Sequence, residues 1–527
     1  MKMKTNVLLI LTLAAGMGFC SCTAFLDREP ESFITIDDIK VEEDLVNVLN
    51  GVYSALIINK ELPLSLDFIT DNGYCNDPIV GESVYWRFAQ TPSDMYLTLK
   101  KWSQDYAGIL RANTVILKAP EIRYSNNSRE DVANGEARRA CHIAEAKVLR
   151  AFFYMDIIDF YGDCPWRTKP EGLEEKKSPR VDRNVILSNI LLDIDESIDD
   201  LPLTRSEANY GRLTRGAALA IKARLCLYNG LYEWCADACR KIIALGMYDL
   251  HPLYSQLFTE AYERNNEYIF TQQYIPDKTA ESASGVFWSK FSQSSRYMPS
   301  YNFAEDFYMA DGRKWDDPGS SFSWAKPYDG KDPRFLMSVV ATSSGKALGI
   351  SHTGLRLKKF IDDNPDRLHN NDGVDFPLIR YADVLLMLAE ALVETNHYDY
   401  DEVCSLVNKV RQRPDVMMPT IAQAEEKFTG GPLSRERLME VIRHERRVEL
   451  GFEGLRMSDI RRWKIGPETM TDCYSIFLYT IEGSTKKTYK KVVIAKRRFD
   501  AVKGYLWPIP AIEIQTNPME NNPGYYD

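Results

Sequence analysis

Apolar residues recur at spacings of three and four between positions 137 and 161: Ala137, Ala140, Ala144, Val148, Ala151, Met155 and Ile158. That period places them on one face and predicts a helix. The small alanines let a partner helix approach closely. Gly162, with Pro165 three residues beyond, predicts its end. A second helical run, 217–228, follows Leu213-Thr214-Arg215-Gly216, and a third, 232–244, follows the breaker Asn229-Gly230. The string ARLCLYNGLYEWCADACRKI (223–242) puts small residues where two helices would touch, and glycine where the turn needs positive φ. It reads as a tetratricopeptide-like helix pair. AEALVETNHYDYDEVCSLVNKVR (389–411) repeats the pattern, with Asn396 in the glycine place, which left-handed geometry tolerates.

Elsewhere the periodicity fails. Residues 265–375 and 62–100 are dense in Gly, Ser, Pro, Asp and aromatics, with short apolar runs, and predict loops built over the helical body. The tail YLWPIPAIEIQTNPMENNPGYYD predicts an irregular segment packing through its aromatics. At the other end, Lys2 and Lys4 precede an apolar run from Val7 to Ala15, the pattern of a secretory signal, too short to span a bilayer. Ser21-Cys22 follows, a small residue before a cysteine, and predicts Cys22 as a lipid-bearing first residue after processing.

Composition then narrows the field. With 45% hydrophobic and 27% charged residues a large core is expected. At 527 residues it forms two lobes or one extended helical body. A net charge of −10, with no basic run longer than three, argues against nucleic acid. Ten cysteines are too few for a disulfide scaffold. The six histidines are scattered and no HExxH or GxSxG stretch occurs, and no cofactor or metal is expected; carboxylates are plentiful, so counting alone leaves a glycosidase pair open. Cys235 and Cys239, four apart on a helix, read as core. In HERRVELGFEGLRMSDIRRW (444–463), Arg446–Glu449 and Arg456–Asp459 are spaced to pair along one face, as structural ion pairs. DGRKWDDPG, with Asp311 and Asp317, reads as a polar contact or a surface turn; its calcium-loop likeness is incomplete.

Several blocks, in order, carry a resemblance: SCTAFLDREP (21–30), AEAKVLRAFFYMDIIDFYGDCPW (144–166), LTRGAALAIKARLCLYNG (213–230), DGKDPRF (329–335), FPLIRYADVLLMLAEA (376–391), HERRVELGFEGLRMSDIRRWK (444–464), LWPIP (506–510) and NPGYYD (522–527). The chain resembles the SusD/RagB family of nutrient-binding outer-membrane lipoproteins. The resemblance implies a mainly α fold, an α–α superhelix of tetratricopeptide-like pairs against a loop-rich ligand region with few short strands. It implies a signal peptide at 1–21, an N-terminal part at 22–264 and a C-terminal part at 265–527, forming one compact unit. It further implies a lipid anchor in the outer membrane facing the exterior, and a SusC-like TonB-dependent transporter as partner. The cargo is oligosaccharide or polysaccharide, or, as in some relatives, peptide, and no bond is broken.

Sugars stack flat C–H faces on aromatic rings and need polar partners for their hydroxyls. Expected ligand contacts in the irregular tracts are Tyr85, Trp86 and Arg87 in VYWRF, Trp288 in GVFWSKF, Tyr297 in SSRYMPS, and Trp324 in SSFSWAKP. Asp71 and Asn72 are the expected hydroxyl partners. Trp102, Trp463 and Trp507 lie in helical or tail blocks and are expected to be structural.

Overall fold

The computed structural model describes residues 36–56, 62–76, 82–124, 129–170, 177–275, 297–341, 352–361 and 373–526. Ten helices carry the body: α1 (Glu42–Ala55), α2 (Leu97–Lys118), α3 (Arg129–Tyr161), α4 (Arg183–Asp195), α5 (Arg215–Tyr228), α6 (Tyr232–Ala244), α7 (Tyr381–Glu394), α8 (Tyr400–Arg411), α9 (Arg435–Leu450) and α10 (Arg456–Trp463). Neighbours pack in succession: α1 on α2, α2 on α3, α3 on α4, α5 on α6, α6 on α7, and α7 on both α8 and α9. This chain of pairs is the expected helical-repeat body. Among the described residues no helix is long and apolar enough to cross a membrane.

The local signals explain the elements. α3 begins eight residues before the apolar stripe, and residues 132–138 are exposed except at Gly135. It ends at Tyr161, before Gly162 at φ +72°. The stripe expected from Ala137 is buried only from Ala144 onward, because the second half is covered on nearly every side. α5 is capped by Thr214, whose hydroxyl accepts from the Ala217 N–H at 3.2 Å. Asn396 adopts φ +59° between α7 and α8, as the repeat pattern predicts. Cys235 and Cys239 are buried core residues. The tail packs as expected: the Trp507 ring meets Tyr85 at 5.0 Å and Phe160 at 4.6 Å.

The strands are short: β1 (Gly73–Cys75), β2 (Tyr268–Gln272), β3 (Tyr297–Pro299), β4 (Val339–Ala341), β5 (Leu355–Leu357), β6 (Phe376–Arg380), β7 (Cys473–Thr480) and β8 (Lys487–Ala495). They pair antiparallel as β1–β3, β2–β6, β4–β5 and β7–β8. One expectation needs correction. Residues 62–100 are not simply irregular: Leu62–Phe68 and Glu82–Trp86 are helical.

A buried charge network ties the loop region to the body. Arg380, at the end of β6, donates to Glu267 at 2.7 Å, Glu449 at 2.8 Å and Glu453 at 2.7 and 2.8 Å. Arg413 donates to Glu267 and Glu449, and Arg334 to Asp332, Glu445 and Glu449. The charges of 444–463 are structural, but the expected pairs Arg446–Glu449 and Arg456–Asp459 give way to other partners. Arg446 donates to Asp383 of α7, Arg456 to Asp71, and Asp459 accepts from Arg462. α9 is buried on several faces, so each of its charges is satisfied by whichever element covers it.

Candidate functional site

The chain between Met309 and Lys331 leaves the body and returns, closed at its base by a bridge between those two residues. Ala310 N–H donates to the Gly330 carbonyl at 2.7 Å. Its internal turns are polar. Asp311 accepts from the Arg313 N–H and pairs with its guanidinium, and Asp317 accepts from the Lys314 N–H at 2.7 Å. These two carboxylates therefore hold the loop's shape. Gly312 is required twice over: its φ is +88°, and a Cβ there would lie 2.5 Å from the Ala424 methyl.

The loop displays three half-buried rings. Phe322 lies 5.4 Å from Trp315 and 5.1 Å from Trp324 between centroids, both edge-on, and the two indoles are 5.9 Å apart. Trp324 rests at 30° and 6.3 Å on the buried Tyr301, whose own place is set by a short helix, Tyr301–Asp306. The Trp324 carbonyl accepts from the Tyr489 N–H of β8 at 2.8 Å, which locks the arc against the hairpin. Beneath it, Lys331 is buried, donates to the Phe307 carbonyl at 2.9 Å, and lies 5.9 Å from the Phe322 ring. Burial pushes its pKa down to about 8. Edge-packed rings that each stay partly exposed offer apolar surface to a ligand.

A polar rim lies at the β1–β3 sheet. The Tyr74 hydroxyl donates to Asn76 at 3.1 Å, and the Asn76 amide meets the exposed His352 ring at 3.0 Å. Two clefts, of about 300 and 250 Å³, share Tyr210, Gly211, Arg212 and Thr271 at another place in the fold. Among the described residues no cluster of three or more His, Cys, Asp or Glu is placed to hold a metal ion.

The expected contacts fall unevenly on this map. Trp324 is in the arc. Arg87 is exposed beside Trp86. Trp86 is 2% exposed: its Nε1 donates to the Gly73 carbonyl, Tyr74 meets its ring at 5.3 Å, and the Arg497 guanidinium lies 4.5 Å above it. Tyr85 is buried, its hydroxyl donating to Thr98 Oγ1 at 2.7 Å. Tyr297 is buried in β3 against Phe68. Asp71 is buried between Arg447 and Arg456, both at 2.9 Å. Burial alone would raise its pKa, but the two guanidiniums hold it well below the carboxylate range. The buried Asn72 amide donates to Asp67 at 2.7 Å and its oxygen accepts from Arg447. In this conformation Tyr85, Trp86, Asp71, Asn72 and Tyr297 are structural, because folding has already occupied the faces and lone pairs a sugar would use. Trp288 and Cys22 lie outside the described residues. The sequence reading passed over Trp315 and Phe322, whose signal was the close spacing of three large rings around the turn Pro318-Gly319.

The fold defines a class: a helical-repeat scaffold that carries loops with partly exposed aromatic rings. Two family models match this chain, the SusD family over residues 342–525 and a family described as starch-binding associating with outer membrane over 24–227. Two SusD-like proteins of Formosa agariphila are similar along almost the whole length. One is 25% identical, covering 95% of this chain and 94% of its own, and the other 26% identical, covering 89% and 94%. Both matches are to SusD-type families, one at each end of the chain, and the similarity to SusD-like proteins runs along its length. Solved structures share the fold. A SusD-like carbohydrate-binding protein of Bacteroides fragilis superposes with a TM-score of 0.76 at 22% identity, over 91% of this chain and 99% of that one. A laminarin-binding SusD-like protein does so with 0.67 at 22%, over 92% and 100%.

Proposed function

We propose that this protein is a cell-surface glycan-binding lipoprotein. Anchored to the outer membrane through Cys22, it captures oligosaccharide or polysaccharide on the arc of Trp315, Phe322 and Trp324 and passes it to a SusC-like TonB-dependent transporter. The arc is the observation that carries the reading, because clustered aromatic rings in part exposure suit sugar C–H faces. The family's description as starch-binding and the carbohydrate-binding names of structural neighbours support it. Binding is passive, by stacking and hydrogen bonds, with no bond broken. Repeated contacts along a polymer raise its avidity.

Affinity electrophoresis against a polysaccharide panel, with Trp315→Ala and Trp324→Ala beside the wild type, tests this. Retardation by at least one glycan, lost in both variants at unchanged melting temperature, is expected. Binding of peptides and of no glycan would mean the cargo is peptide. Membrane retention of a Cys22→Ala variant would remove the anchor.

A further inference from the structure

We infer that the ligand of the aromatic arc is anionic, an oligosaccharide bearing uronate or sulfate groups. The inference rests on the reading of the arc as a glycan platform and goes one step further, to its charge. The chain as a whole carries −10, yet the β7–β8 hairpin, residues 473–495, contains four lysines (Lys486, Lys487, Lys490 and Lys491) against one acid, Glu482. This concentration of positive charge sits on the hairpin that adjoins the arc.

Register shows where the charges point. Tyr489 stands opposite Leu478, and its N–H turns away from β7 to the Trp324 carbonyl. β8 is therefore the strand next to the arc. Alternation puts residues 487, 489 and 491 on one face. Tyr489 is buried there. The Lys491 ammonium lies 4.3 Å from the Tyr474 ring and 5.9 Å from Tyr301, the ring under Trp324, and pairs with Glu305. Lys487 shares this face, about 7 Å along the strand from Tyr489, and is exposed. Lys490 is exposed on the opposite face, across from Phe477. Among the described residues Lys486, Lys487 and Lys490 make no ion pair.

The buried Lys331 ammonium lies below, near the Phe322 ring; it makes no ion pair among the described residues, although Glu305, Asp306 and Asp332 are near enough to favour its charge. The loop's acids are largely engaged. Asp311 pairs with Arg313, Asp329 with Lys326, and Asp317 accepts the Lys314 N–H, leaving Asp316. Lysines on a hairpin often guard an open strand edge. Here the edge of β8 at Tyr489 is already taken by Trp324, so edge protection does not account for them. Exposed ammonium groups on the strand next to the aromatic rings suit a polymer that offers both a C–H face and regularly spaced anions, and their field would also draw it in.

Titration calorimetry at 50 and 500 mM NaCl tests this with matched pairs: oligogalacturonate against its methyl ester, and carrageenan oligosaccharides against their desulfated forms. Wild type, Lys487→Glu/Lys490→Glu and Trp324→Ala are compared. The charged member of one pair is expected to bind about tenfold tighter or more, the advantage shrinking at high salt and in the lysine variant. Which pair responds separates uronate from sulfate. Neutral members binding as tightly as charged ones, or charge reversal without effect, would overturn the inference and leave the glycan reading standing. Failure of every glycan to bind would remove both.

Discussion

At the scale of single residues, burial decides what each aromatic does. Trp86 and Trp324 look alike in sequence, each in a short tract between irregular stretches. Trp86 is enclosed by Tyr74, Arg497 and the Gly73 carbonyl, whereas Trp324 keeps part of its indole open. Trp86→Ala should cost about 3–5 kcal/mol of stability, as large core truncations do, measured by urea unfolding. Trp324→Ala should weaken glycan binding by about 1–3 kcal/mol, by analogy with base–aromatic stacking, with little change in melting temperature. Asp375 offers a second residue-scale test. Burial pushes its carboxyl up to about 7, against the Tyr274 N–H that favours the charged form. A carboxyl with a raised folded pKa holds its proton after the unfolded chain has lost it. Its contribution to stability is therefore full below about pH 4 and is lost as pH rises toward 7. Asp375→Asn should flatten that decline, so that melting curves of variant and wild type diverge in the variant's favour between those values.

At the scale of elements, the helices follow from local rules and the loops from long-range closure. The turn between α7 and α8 depends on Asn396 at φ +59°. Asn396→Ala should destabilise by about 1 kcal/mol, since alanine resists the left-handed region, while Asn396→Gly should match the wild type, both read from denaturant midpoints. The helix-pair pattern of 223–242 and 389–411 was legible because periodicity and a turn residue are local signals. The 309–331 loop was legible only as a loop. Its arc requires Tyr301 from below and Tyr489 from the side, and neither neighbour is indicated by spacing. The same holds for the charged stretch 444–463. Spacing suggested pairs within it, but burial against β6 and α7 redirected most of its charges to distant partners.

At the scale of the whole molecule, the buried network of Arg334, Arg380 and Arg413 with Glu267, Glu445, Glu449 and Glu453 joins the loop region to the helices. Arg380→Met leaves buried carboxylates short of a partner and should cost about 3–5 kcal/mol at neutral pH. Burial would raise the Glu449 carboxyl, but Arg413, Arg380 and Arg334 hold it well below its ordinary value. A carboxylate so depressed contributes stability above about pH 4 and loses it as pH falls further. The wild type should therefore unfold in acid below that value. The deficit of Arg380→Met should shrink as pH approaches it, because the stranded carboxylates can then take up protons. Chemical unfolding from pH 8 to 3 would show both slopes.

The amino-acid sequence by itself determined the helical-repeat body, the breakers that end its helices, the loop-rich tracts and the family resemblance, since these rest on periodicity, turn chemistry and ordered blocks along the chain. Tertiary structure alone decided which rings stay open. Asp71, Asn72, Tyr85, Trp86 and Tyr297 were drawn into the core, while Trp315, Phe322 and Trp324 were gathered into an arc beside a basic hairpin. The reason is physical: exposure of a side chain depends on what covers it, and the covering residues here lie far away in sequence.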